Sequence, residues 1–259
     1  MTRRLTVVLA AGLIAAALAT ESADALLCTR GSLEVWPPPG KVPAKPVFVL
    51  HATAQWSSWL AELSAGQFHL ETEAGRIDLL ELQRFEGERT RVTQVVLAPA
   101  EPLRPDHAHA LVVDASPGMG GRPFRPPQRW WVEQAPDRKA PAFAKSPRLV
   151  LNQSRDLGSG PRTAITFDFE SSEEPVLVLA DIGPDTEYYR DRHRLLLFPR
   201  EGRVGLYSGP CGGNFRPVAG KRYLVRLQLM DAGGNVGGGP SHRVTFEGPG
   251  TSRGGRSGG

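Results

Sequence analysis

Past residue 19 the chain has no apolar run near the roughly 20 residues that a membrane-spanning helix needs. No transmembrane anchor is therefore expected in the mature protein. Cysteine is almost absent, with only Cys28 and Cys211. Lysine is sparse, at positions 41, 45, 139, 145 and 221, and arginine supplies the rest of the basic residues. These charges are scattered and form no basic stripe interleaved with aromatics, which argues against nucleic-acid binding. After the first 25 residues no window sustains a 3.6-residue apolar period, so a helical protein is not expected. Catalytic signatures are missing too: no serine in G-x-S-x-G, no H-E-x-x-H and no Walker loop. Gly118–Gly121 is glycine-rich, but it runs into Arg122-Pro123-Phe124-Arg125 and not into a helix, so it reads as a strand connection. Neither a catalytic residue nor a cofactor is expected, and the protein is not read as an enzyme.

What is present begins with the first 25 residues. Arg3 and Arg4 form a short basic start, and Leu5 to Ala19 is uncharged and apolar. Small residues at Ala23 and Ala25 follow. Basic, apolar and small-residue regions in that order are the signature of a secretory signal peptide, here 1–25. Export to the periplasm, the outer surface or the medium follows. The paired arginines lack the rest of a twin-arginine motif. Cys28 is poorly placed for lipid attachment, because Leu26 and Leu27 precede it where small residues are wanted. Cleavage after Ala25 removes two arginines and two acids, so the net charge of +4 is unchanged.

An isolated cysteine pair in an oxidising compartment is most simply a disulfide. A Cys28–Cys211 bridge closes a loop of about 180 residues, for which chain entropy suggests on the order of 5 kcal/mol. It would fix the mature N-terminus to the second half of the chain.

About 230 residues remain after cleavage, enough for one large or two ordinary domains. The 29 glycines and 23 prolines suit many short strands joined by turns. Extended runs appear at 46–53, 76–84, 91–97, 108–114 and 129–133, followed by the linker-like QAPDRKAPAFAKSP. The second part alternates more cleanly. Ile165, Phe167 and Phe169 share one face, as do Tyr223, Val225, Leu227 and Leu229, the period of half-buried strands. Further runs at 175–182, 193–198, 203–208 and 241–246 complete an all-β reading. Two tandem β-sandwiches are expected, at 26–135 and 148–247, joined by a linker at 136–147. The tail 248–259 is expected to be disordered.

Leu97-Ala98-Pro99-Ala100-Glu101-Pro102-Leu103-Arg104-Pro105, then His109-Ala110-Leu111-Val112-Val113, resembles a bacterial Ig-like domain of the SbsA type. Val42-Pro43-Ala44-Lys45 is similar to that family's early V-P-x-N segment. Pro217–Met230 with Asp231-Ala232-Gly233-Gly234-Asn235 resembles the end of bacterial Ig-like and fibronectin type III-like modules, and Asp137 to Pro141 resembles their D-x-x-A-P opening. The resemblance implies Ig-like sandwiches that bind or build, with a tyrosine corner at Tyr223. His109 stands where the family has tyrosine, which puts the first corner's hydrogen bond in question.

Few residues invite chemistry. His107 and His109, two apart on a strand, share a face and could hold a metal, the basis of an alternative reading as a periplasmic copper-binding protein. Against it, the mature chain keeps only Met119 and Met230, and His109 is accounted for as the corner residue. Asp231 and Asn235 could offer oxygens to calcium, but a D-x-x-G-N turn needs no ion. No metal site is assigned. The charged segment DIGPDTEYYRDRHR makes the best candidate binding loop, through Tyr188, Tyr189, Arg190 and Arg192. The expected function is a non-catalytic binding or structural component of the cell envelope or extracellular space. Its partner is expected to be a protein or a cell-surface polymer. A hydrolase with a loop-assembled site is the remaining alternative, since triads are built in space.

The bridge is checked by mass spectrometry of the secreted protein. Cys28 and Cys211 should resist alkylation until a reductant is added, and labelling of both without reduction rules the bridge out.

Overall fold

Residues that alternate in the sequence alternate between core and exterior in the structure, a computed structural model. It describes residues 31–87, 91–115, 127–133, 140–156, 160–185, 192–209, 212–237 and 242–253. The signal segment, both cysteines, the glycine-rich connection at 118–121 and residues 188–190 lie outside that set.

Eight strands make the first half: β1 (Leu33–Trp36), β2 (Gly40–Val42), β3 (Phe48–Thr53), β4 (Phe68–Thr72), β5 (Gly75–Gly87), β6 (Val92–Pro99), β7 (Ala108–Val113) and β8 (Arg129–Val132). They form one sheet in the order β1-β3-β6-β5-β4-β7-β8-β2. The long β5 serves two neighbours: its start pairs with β4, and Leu79–Gly87 pairs with β6. A register shift between Glu81 and Gln83 marks a bulge, and bulges bend the strand that carries them. The sheet thereby folds over a single core in which Phe48, Leu50 and Leu97 pack with Phe68, Leu70 and Trp130. Trp130 meets Phe48 edge-on at 4.8 Å, and its indole N–H donates to the carbonyls of Pro37 and Pro38.

An α-helix, α1 (Gln55–Glu62), and a single 3-10 turn at Ala65–Gln67 lie between β3 and β4. The helix buries Leu60 and Ser57, and the Ser57 hydroxyl lies 2.8 Å from that of Thr93 on β6. Two turns are too short to build a recognisable apolar period, which is why the sequence shows no helix between the extended runs 46–53 and 76–84.

The second half is a sandwich of two sheets. Strands β9 (Phe143–Asp156), β10 (Pro161–Ser171), β13 (Arg203–Gly209), β14 (Gly212–Gly213) and β17 (Thr251–Arg253) form one, in the order β14-β13-β10-β9-β17. Strands β11 (Val176–Pro184), β12 (His193–Leu197), β15 (Arg222–Asp231) and β16 (His242–Glu247) form the other, in the order β12-β11-β15-β16. Ile165, Phe167 and Phe169 do share a buried face, as do Tyr223, Val225, Leu227 and Leu229.

Two expectations need correction. The linker expected at 136–147 ends early, because β9 begins at Phe143. Most of β9 is solvent-facing, so it lacks the apolar alternation that would have marked it as a strand. The tail expected to be disordered from 248 contributes β17, which pairs in parallel with Ser154–Asp156. That pairing uses only backbone groups and needs no core side chain, so composition gives no sign of it. Residues 254–259 lie outside the described set.

Both halves have a ring side chain bonded to the backbone five residues upstream. The Val218 N–H donates to the Tyr223 hydroxyl at 2.8 Å. In the first half the fully buried His109 takes the equivalent place, its Nε2 donating to the Arg104 carbonyl at 3.0 Å. The corner hydrogen bond that the histidine put in question is therefore made, with a ring N–H in place of a phenol.

A third cluster joins the halves. On β3, Phe48 and Leu50 face the first core, while Val49 and His51 point the other way. On β6, Val95 and Leu97 point inward, and Gln94 and Val96 point outward. Val49 and Val96 pack with Leu177 of β11, Leu196 of β12 and Met230 of β15. A backbone hydrogen bond also crosses the join, the Val47 N–H donating to the Ala232 carbonyl at 2.8 Å. The D-x-x-G-N turn sits at this contact. Gly234 has φ +80, and a Cβ there would come within 2.7 Å of the Val47 side chain, so glycine is required twice over.

Gln94 is the central polar group of the join. Its side-chain oxygen accepts from the Leu196 N–H at 3.0 Å, and its amide nitrogen donates to the Leu196 carbonyl. The same nitrogen lies 3.0 Å from His51 Nδ1. Replacing Gln94 by alanine strands both Leu196 backbone groups in a buried setting, at about 1–3 kcal/mol each before relaxation. Gln94→Ala should lose roughly 2–3 kcal/mol in urea denaturation, well above the loss from an exposed substitution such as Gln83→Ala.

Candidate functional site

A groove of about 900 Å³ opens beside this join, where the end of β5 and the start of β6 face β12 and the segment before β15. Among the described residues, Arg84, Arg192, Arg194 and Arg216 line it together with His193, against one acid, Glu86. Phe85, Pro217 and Val218 supply apolar wall, and Val218 is 62 % exposed.

Each arginine is held differently. Arg84 grips Glu81 through two contacts, at 3.0 and 2.6 Å. It also donates to the carbonyls of Leu60 and Leu63 at 2.8 Å, closing the C-terminal end of α1. Its first task is therefore structural. Arg194 pairs with Asp181 at 2.9 Å, and that hydrogen bond raises its already high pKa. Arg216 is exposed and makes no ion pair among the described residues, which leaves its charge available. Glu81 and Asp181, which hold Arg84 and Arg194, are not among the lining residues, whereas Glu86, 4.0 Å from Arg84, is. The described lining is therefore mainly cationic, with an apolar wall.

Gln94 closes the inner end of the groove, and its orientation can be deduced. The Leu196 N–H requires the amide oxygen and the Leu196 carbonyl requires the amide nitrogen. The NH₂ group is thereby turned to His51, whose Nδ1 must accept and so carry no proton. Burial acts in the same sense. Desolvation, with the Arg200 charge adding, pushes His51 down to about 4 from its ordinary 6.5.

Of the candidate loop, Arg192 lies in the groove lining, whereas Tyr188, Tyr189 and Arg190 fall outside the described residues. Cys28 and Cys211 do so as well. Arg84, Gln94 and Arg216 carry no sequence signal for a site. They converge only where the two halves of the chain meet.

The histidine pair considered for a metal does not converge. His109 is committed to the Arg104 carbonyl, while His107 is partly exposed 3.6 Å from Asp106. The Asp231 carboxylate is used within its own turn. Oδ1 accepts from the N–H groups of Gly233 and Asn235 at 2.9 Å, and Oδ2 accepts from the Asn235 side chain at 3.1 Å. An unforeseen contact is His69, buried in β4 with Nδ1 3.3 Å from Asp114, itself paired with Arg76 at 3.0 Å. An imidazole beside a carboxylate is half of a hydrolytic triad. Its other nitrogen faces Glu71 at 3.6 Å, and no hydroxyl or thiol bonds the ring among the described residues.

No family model matches the sequence, and no curated protein matches it. Among solved structures, the FN1–FN3 domains of chicken CNTN1 are 14 % identical, with 83 % of this chain and 66 % of that one aligned at a TM-score of 0.29. Clostridium thermocellum CbhA fibronectin(III)-like modules are 12 % identical over 85 % of this chain and 94 % of that one, at 0.23. A type I pullulanase from Bacillus subtilis, complexed with maltose, is 12 % identical over 79 % of this chain, at 0.25. This chain spans about a quarter of the pullulanase and under two-thirds of the CNTN1 fragment. Likenesses this distant assign no chemistry to any residue.

His51 sets a pH dependence. Above pH 6.5 it is neutral in the folded and unfolded states, and stability is full. Between 6.5 and about 4 the unfolded chain binds a proton that the folded chain refuses, so stability falls with pH, by roughly 3 kcal/mol across the window. Urea midpoints measured from pH 7.5 to 4.5 should show this decline, and His51→Asn should flatten it.

Proposed function

We propose that the chain is an exported, non-catalytic binding or structural protein of the cell envelope or extracellular space. Its partner, a protein or a cell-surface polymer, is engaged at the groove between the two sandwiches. The carrying observation is the groove itself: a concave site at the join of two β units, lined among the described residues by four arginines and an apolar wall against a single acid. Clefts at such joins are favoured ligand sites, and loops on rigid sandwiches commonly carry recognition. The basic, apolar and small-residue order of residues 1–25 supports export. The copper and hydrolase readings have less support. His109 is bonded within its own corner, and His69 has a carboxylate beside it but no nucleophile among the described residues.

The experiment is capture from the cognate cell-envelope fraction by the mature protein, with Arg216→Glu and a remote control, Arg148→Glu on β9, run in parallel. The expected result is a partner retained by wild type and by Arg148→Glu, and lost or weakened about ten-fold by Arg216→Glu. Equal capture by Arg216→Glu overturns the groove as the site. No capture by any form, together with turnover of a hydrolase substrate panel, overturns the binding reading altogether.

A further inference from the structure

Strand β12 is the outermost strand of its sheet, hydrogen-bonded only to β11. In an antiparallel pair, successive residues turn their N–H and C=O alternately toward the partner and away from it. Leu196, opposite Leu179, turns away, because its N–H and C=O are both taken by the side chain of Gln94. Two residues earlier Arg194, opposite Asp181, must turn the same way. Its N–H and C=O therefore face the groove, and no backbone hydrogen bond engages them on that side among the described residues. An open strand edge is thus one wall of the cationic groove. The amide of Gln94 already imitates, at Leu196, the pairing that an added strand would make at Arg194.

Resting on the groove as the binding site, we infer that it takes an extended acidic peptide segment that adds to β12 as a further strand. Three observations select this occupant. The edge at Arg194 offers a donor and an acceptor in the spacing that a peptide backbone satisfies. Arg216 offers an available positive charge. Phe85, Pro217 and Val218 offer apolar surface to alternate side chains. An acidic polysaccharide would share the charge but could not complete the strand edge. The described lining also contains no tryptophan or tyrosine on which a sugar ring could stack.

The test uses the mature full-length protein and a dye-labelled, end-blocked peptide of alternating glutamate and valine, followed by fluorescence polarisation. The same peptide N-methylated at alternate residues removes donors along one edge, and polygalacturonate serves as the non-peptide polyanion. Two substitutions separate backbone from side chain. Arg194→Ala keeps the outward N–H, whereas Arg194→Pro removes it at an edge position where a sheet tolerates proline. The expected result is binding of the unmodified peptide, weakened about ten-fold or more by N-methylation, by Arg194→Pro and by Arg216→Glu, with Arg194→Ala affected much less. Equal binding of the methylated and unmethylated peptides overturns the strand-addition inference. So does binding of polygalacturonate without the peptide, an outcome that leaves the groove standing as a binding site. If Arg194→Pro does not fold, the N-methylated peptide still decides the matter.

Discussion

The arrangement of the molecule depends on one side-chain amide placed where a peptide bond would otherwise be needed. Gln94 is buried and spans the join, giving an acceptor and a donor to the two backbone groups of Leu196. Without it, the edge of β12 would enter an apolar contact with unpaired polar groups, at a cost that hydrophobic packing would have to offset. With it, the outer face of β3 and β6 can be covered by the second half. Both faces of β3 and β6 are consequently buried, one against their own core and one against the second half. The same amide fixes the protonation of His51, tying the integrity of the join to pH.

The groove is a by-product of this solution. Where Gln94 and the valines of β3 and β6 meet β11 and β12, the halves are in contact; just beyond Gln94 they diverge, leaving Arg194 and Arg216 facing the end of β5. Because Arg84 anchors α1 and Arg194 anchors to Asp181, the walls are preorganised, and little side-chain order remains to be lost when a ligand binds. The charge left over is mainly that of Arg216.

The two corners show how different residues meet one constraint. A strand leaving a turn has a backbone group that needs a partner several residues on. A tyrosine hydroxyl accepts it in the second half, and a histidine N–H donates in the first, to a carbonyl and not to an N–H. The reversal of donor and acceptor is consistent with each ring's chemistry, since a phenol oxygen accepts readily and an imidazole N–H donates.

Sequence patterning by itself determined the all-β class and the alternation of Ile165, Phe167 and Phe169 and of Tyr223 through Leu229, because a half-buried strand must alternate. The resemblance to Ig-like modules, not the patterning, marked both corner residues and the D-x-x-G-N turn. Patterning missed α1, too short for its period to register, and β9 and β17, whose pairing is a backbone matter that composition does not record. The charged segment ending at Arg194 was legible as a candidate loop, and its Arg192 lines the groove, but only the tertiary structure set that segment beside β5, β6 and Arg216. Arg84, Gln94, Arg194 and Arg216 belong to four separate stretches of chain with no shared motif. Their meeting depends on how the two halves pack together, a long-range fact that no local pattern of residues encodes.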